Sequence, residues 1–221
     1  MPALPAEARE AEAREAAIAA RRARERGVAW PTVLLSATAT LAWWAAIAGH
    51  VAGVLDTPTA TALAFVAAYA SLTPAHEAAH GNIGGRARPW LDVVVGQIRL
   101  LCLLGPFLPF RTVNLRHHAH TNDPERDPDM WMAGPTILAP LRAATILQYY
   151  WWCYWRPPSG VRTDLHYRGY AVVFFSLLGA AFAALVAAGH ALTVAVVIVM
   201  PAWLALGVLA GPALGAAQDR G

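Results

Sequence analysis

Five histidines in two groups are the residues of this chain whose type and spacing could do chemistry. His76 and His80 stand four apart in His76-Glu-Ala-Ala-His80, so on a helix both imidazoles project from one face. The second group lies in Asn114-Leu-Arg-His-His-Ala-His-Thr-Asn-Asp-Pro-Glu-Arg-Asp-Pro-Asp129, which brings His117, His118 and His120 close together ahead of a run of carboxylates. Neutral imidazole is a common ligand for iron, zinc and copper. A carboxylate beside it orients the ring by accepting the proton of the other nitrogen. Asp123, Asp127, Asp129 and Glu77 are candidates for that orienting role, although Asp-Pro is also ordinary turn chemistry. The spacing therefore points to a metal site, carried at the polar ends of long apolar segments.

The elements that must position these side chains belong to a membrane protein. Of 221 residues, 57% are hydrophobic and 14% charged, against roughly 25% charged in average soluble domains. The net charge of +3 is too small to argue for nucleic acid. All 17 basic residues are Arg. Cys102 and Cys153 have no metal-ligand spacing and read as packing residues. Residues 6–26 alternate Ala with Glu and Arg at helical spacing, so 1–27 is expected as an exposed cytoplasmic helix ahead of a membrane domain over 28–221.

Apolar runs predict spans at about 28–49, 58–75, 169–189 and 191–211. The first, as a helix, reaches ~33 Å, enough for a hydrocarbon core of ~30 Å. Thr73 and Pro74 are expected to cap a fresh helix carrying His76 and His80. Residues 90–110 are apolar but contain Asp92, Gln97 and Arg99, and an Arg at mid-bilayer costs ~2.5–3.5 kcal/mol. A full crossing would also leave the two histidine groups on opposite faces. That segment is therefore expected to dip and return, or to lie in the interface, with Pro106 and Pro109 helping it turn. The run from Met130 to Trp155 is interrupted by Pro135, Pro140 and Arg142 and ends in an aromatic belt of the interfacial type. Six Arg lie in 1–27, ten in 86–168 and one at 220. This places both termini, both histidine groups and His166 on the cytoplasmic side. His50 and His190 fall on the other face and read as structural. The expected fold is an all-α integral membrane protein, with four transmembrane helices in two hairpins and a cytosolic histidine-bearing segment between them.

These residues resemble the membrane fatty acid desaturase and hydroxylase superfamily, which includes carotenoid hydroxylases and ketolases. His76-Glu-Ala-Ala-His80-Gly81 is similar to its first histidine box. Asn114-Leu-Arg-His117-His118-Ala-His120-Thr121-Asn122 is similar to its second, of the form HxxHH followed by Thr-Asn. The resemblance covers roughly residues 28–211. It implies a di-iron centre with His76, His80, His117, His118 and His120 as ligands. It further implies O2-dependent hydrogen abstraction from a lipid or fatty acyl C–H bond, and an electron donor such as a ferredoxin or cytochrome b5-like protein. The location it implies is a bacterial inner membrane. Asn114 stands where the family carries a histidine and would act through water.

No histidine follows His190, whereas the family carries a third box. The expectation is a C-terminally truncated chain whose four or five ligands are few for two irons, leaving its activity open. Two other readings stand beside this one. The chain can be an inert truncated paralogue, or one that only binds metal or lipid. Alternatively, HEAAH matches the HExxH signature of an intramembrane zinc protease, with Glu77 as general base, which leaves His117 and His118 unexplained.

Overall fold

The computed structural model describes residues 27–133, 135–157 and 167–208, all helix, turn and loop with no strand among them. The predicted helix over 6–26, His166 and the end of the predicted last span lie outside the described residues.

Helix α1 (Trp30–Val51) turns through a short loop into α2 (Thr57–Tyr69). Asp56 caps α2, accepting from the Thr59 amide at 2.8 Å. His50 ties the joint together, with its ring nitrogens 3.0 Å from the Thr57 hydroxyl and 2.8 Å from that of Thr193. This is the structural role expected of it. The predicted second span is not one continuous helix. It breaks at Ala70 and Ser71 into α2 and α3 (Leu72–Ala79). Pro74 explains the break, because its ring has no N–H and crowds the carbonyl four residues back, that of Ala70. The N-cap is therefore Ser71, not Thr73, and the Ser71 side chain makes no cap bond. Its hydroxyl reaches back to the Ala67 carbonyl at 2.7 Å instead.

Helices α4 (Pro89–Leu101) and α5 (Phe107–Ala119) contain the segment expected to dip and return or to lie in the interface, and the chain turns between them at Leu104, Gly105 and Pro106. Pro106 sits at the N-cap of α5 with an extended backbone, and Leu104 takes a left-handed φ of 60°. The polar residues that argued against a crossing hold this hairpin. Gln97 accepts from the Phe107 amide at 2.9 Å and from the Tyr170 hydroxyl. Asp92, 2% exposed, accepts from the amides of Ile83 (2.9 Å) and Gly84 (3.3 Å). Arg99 is fully buried; it donates to the carbonyls of Ser36 (3.1 Å) and Ala67 (2.7 Å), to the Thr40 hydroxyl (2.8 Å) and to that of Ser71. Gly96 lets the hairpin close, since a Cβ there would lie 2.3 Å from the Phe107 ring.

Two 3-10 turns (Pro128–Met132 and Thr136–Leu138), α6 (Ala139–Ala144) and α7 (Ile146–Trp155) follow. Then come α8 (Arg168–Ala187) and α9 (Thr193–Val208), the latter opening with a π-helical stretch, Thr193–Val199. Among the described residues, α1 and α8 are long and apolar enough to cross a membrane, and α9 is a shorter apolar helix. Only Ala171 is buried on α8, and Val172, Val173 and Leu177 are exposed. So continuous an apolar surface is what a lipid phase covers at low cost. Cys102 and Cys153 are buried and free, as packing residues should be.

Replacing Arg99 by Ala removes four hydrogen bonds from a fully buried site. Each acceptor keeps another hydrogen bond, so at a net ~1 kcal/mol for each bond lost the loss should be on the order of 4 kcal/mol. It should be read as a lower unfolding midpoint in detergent, with Arg99→Lys recovering only part.

Candidate metal centre

Pro74 sets where α3 begins, and α3 presents His76 near its end while His80 is its C-cap. Gly81 follows with φ of 73°, a left-handed turn that releases the chain. On α5, Asn114, His117 and His118 fall at i, i+3 and i+4 and so share a face. The return of the α4–α5 hairpin lays that face against α3. Arg111 secures the contact by donating to the Ala79 carbonyl at 3.0 Å.

The two histidine groups meet. His76 Nε2 lies 3.1 Å from His118 Nε2, and the His80 ring centroid is 4.5 Å from that of His118 and 4.6 Å from that of His76. The ligand atoms of these three rings all lie within 4.8 Å of one another. The Asn114 amide nitrogen stands 3.3 Å from His80 Nε2. His117 packs its ring 5.0 Å from that of His118 and belongs to a second donor group with Asp127 and Asp129. Loss of water around the rings, then crowding by neighbouring imidazoles, holds His76 and His118 below the usual imidazole range. The neutral form a metal requires is therefore favoured.

The carboxylates divide by role. Asp127 is buried, and its Oδ1 accepts a hydrogen bond from His117 Nδ1–H at 2.7 Å. The same side chain accepts from the amides of Asn122 (2.7 Å) and Asp129 (2.8 Å), so its own position is fixed by backbone. With Nδ1 engaged, His117 keeps the lone pair of Nε2 for a ligand. Asp129 Oδ2 is 3.4 Å from the same Nδ1, too long to compete for its proton, while Oδ1 accepts from the Tyr150 hydroxyl. Burial, and then these carboxylates, push the Tyr150 phenol well above its ordinary value. Sequence reasoning passed over Tyr150, which sits inside a run of aromatics read as a membrane belt.

His120 and Asp123 stand apart. His120 ends α5 and is in neither donor group, because two residues beyond His118 a helix has turned ~200°. Asp123 caps a turn, accepting from the Glu125 amide at 2.9 Å and the Arg126 amide at 3.1 Å. The Glu125 amide, with that of Arg126, draws its pKa down. Glu77 accepts from the Asn82 side chain at 2.8 Å.

A cavity of about 220 Å³ opens beside both groups. His76, Asn114, His117, His118 and Asp129 form its polar side, and apolar side chains including Phe110, Leu147 and Leu206 form the rest. Residues 52–218 match the family described as Fatty acid desaturase. The chain belongs to that family. No curated protein and no solved structure matches it. Membership makes this desaturase-family chain a lipid-modifying oxidoreductase at family level, from a membrane-associated family, consistent with its two long apolar helices.

Two outcomes follow for the desaturase-family site. Asp127→Asn turns one of the two accepting oxygens into an N–H donor, so the side chain can no longer serve both His117 and the Asn122 amide, and it should weaken metal binding about 10- to 100-fold by titration. The lowered pKa values of His76 and His118 make the folded chain take up protons less readily than the unfolded one. Stability should be steady above pH ~6.5, the unfolded imidazole value, and fall as pH drops below it. Unfolding midpoints between pH 8 and 5.5 check this.

Proposed function

We propose that this chain is an O2-dependent membrane oxidoreductase that desaturates or hydroxylates a fatty acyl or related lipid, using two iron ions held chiefly by His76, His80, His117 and His118. The observation that carries the reading is the convergence of imidazoles from α3 and α5 on one cavity whose far wall is apolar. The donor set fits the group. It offers two sets of three donor atoms, nitrogen and carboxylate oxygen of the kind non-haem iron accepts.

Bound there, iron supplies O2 activation and the abstraction of hydrogen from an unactivated C–H bond. The chain's own residues do the rest. Asp127 fixes the tautomer of His117, so that Nε2 is the ligand atom. Asn114, at the histidine position of the second box, reaches the centre through its amide beside His80 and by way of water. Phe110, Leu147 and Leu206 give the lipid chain an apolar bed and keep water from it. His120, Asp123 and Glu77 take no part as ligands in this reading, since their side chains lie outside the two donor groups. Electrons come from a ferredoxin or cytochrome b5-like donor on the cytoplasmic side of an inner membrane, the side on which both termini lie.

The zinc-protease reading has less to stand on. Its general base would be Glu77, whose carboxylate is engaged by Asn82, and it gives the His117–Asp127 pair no task. The test is elemental analysis of the purified full chain, with lipid profiling of cells that express it. Iron close to two per chain, together with new double bonds or hydroxyls, is the expected result. A single zinc with unchanged lipids would overturn the proposal, and His118→Ala should abolish both iron and product.

A further inference from the structure

Three guanidiniums gather at the last turn of α7. Arg116 of α5, 7% exposed, donates through Nη1 to the Cys153 carbonyl at 3.1 Å. Arg168, the first residue of α8, donates to the Trp155 carbonyl at 3.1 Å and stands 5.1 Å from the centre of the Trp155 ring. Arg156, the C-cap of α7, stands 4.4 Å from the centre of the Trp152 ring. The C-terminus of α7 brings about half a negative charge to this place. The N-terminus of α8, with no acidic residue in its first turn and no side-chain cap, brings about half a positive one. The two roughly cancel, and among the described residues no carboxylate is ion-paired with any of the three arginines. Three donor atoms are also buried without an acceptor: Nε and Nη2 of Arg116 and Nε of Arg168. On Arg116 these two nitrogens form one edge of the planar group, the edge that meets two oxygens of one phosphate or carboxylate. Buried N–H groups left unpaired are costly, so an anion with several oxygens completes this junction.

The surroundings say which anion. Trp152 and Trp155 are 54% and 37% exposed, and indoles of this kind sit at the headgroup level of a bilayer. Beside them begins α8, apolar and long enough to cross. A phosphate met at that depth is a lipid's. We propose that the junction of α7 and α8 binds an anionic phospholipid, its phosphate held by Arg116, Arg156 and Arg168 and its glycerol end packed on Trp152 and Trp155. A zwitterionic headgroup carries its own cation, which three guanidiniums repel, so the site selects a lipid of net negative charge. It shares α5 with the metal centre but uses none of that centre's donors, and it stands whether or not the chain binds iron.

The experiment titrates the purified full chain in detergent with short-chain phosphatidylglycerol and, separately, phosphatidylcholine. Physiological ionic strength screens exposed charges more than about 8 Å apart, so contact at the site is what remains. Native mass spectrometry counts lipids bound per chain, and the rise in unfolding midpoint gives affinity. Wild type should take up one phosphatidylglycerol at least about 10-fold more tightly than phosphatidylcholine. Arg156→Gln with Arg168→Gln changes one exposed and one half-buried side chain, so its lipid-free midpoint should stay near that of wild type. Its affinity for phosphatidylglycerol should fall about 10-fold or more. Should the pair disturb folding, Arg156→Gln alone carries the same test. Arg86→Gln with Arg88→Gln removes equal charge from an exposed stretch elsewhere and should leave the affinity unchanged. A wild-type chain indifferent to headgroup charge would overturn the proposal, as would an unaltered affinity in the Arg156 and Arg168 variants. Equal losses in the Arg86 and Arg88 pair would overturn it too, since they would mark general attraction to a charged surface.

Discussion

A guanidinium buried against neutral oxygens is the constraint on which the rest of the structure depends. Arg99 has no exposure, and its four partners are carbonyls and hydroxyls from α1, α2 and the α2–α3 junction. Such a group is costly to bury, and the four acceptors around its two terminal nitrogens offset much of that cost. Those acceptors exist because the helix breaks at Ala70 and Ser71, which frees a carbonyl and a hydroxyl. The same proline-driven break begins the helix that carries His76 and His80. One local defect thus serves two ends: it receives the arginine that anchors the returning hairpin, and it starts the helix that needs the hairpin's histidines beside it.

The candidate centre follows from that return. Asp92 holds the loop after His80 by its amides, and Gln97 holds the turn into α5. With both ends tied, the Asn114, His117 and His118 face of α5 has little choice but to meet α3. The polar groups that made residues 90–110 a poor membrane span are the ones that fold it back. Their burial is repaid by hydrogen bonds, and those of Arg99 and of Gln97 to Tyr170 reach partners distant in sequence, which makes the hairpin specific as well as stable.

The carboxylate run shows how little composition says about role. Asp123 and Asp127 both precede proline and both accept backbone amides. Asp127 alone turns its remaining capacity on a histidine ring. The difference is burial. Asp127 is drawn under α5, where an imidazole N–H is the available donor, whereas Asp123 stays at the surface and satisfies itself within its own turn.

Much of this protein was legible in its sequence. The helical, lipid-exposed class follows from apolar length and the scarcity of charge. The shared face of His76 and His80, and that of Asn114, His117 and His118, follows from 3.6 residues per turn. The return at residues 102–106 follows from polar residues that no bilayer centre would accept. These are local properties, set by a few neighbouring residues. What only the tertiary structure decided are contacts across long stretches of chain: His76 with His118, 42 residues away, Asp129 with Tyr150, and Arg99 with α1. It also split the expected second span, because the ring of Pro74 acts four residues upstream of itself, on the carbonyl of Ala70. It left His120 outside both donor groups, because a helix turns every side chain by 100° and two steps carry it away from the site. Periodicity tells which residues share a face, and only packing tells which faces touch.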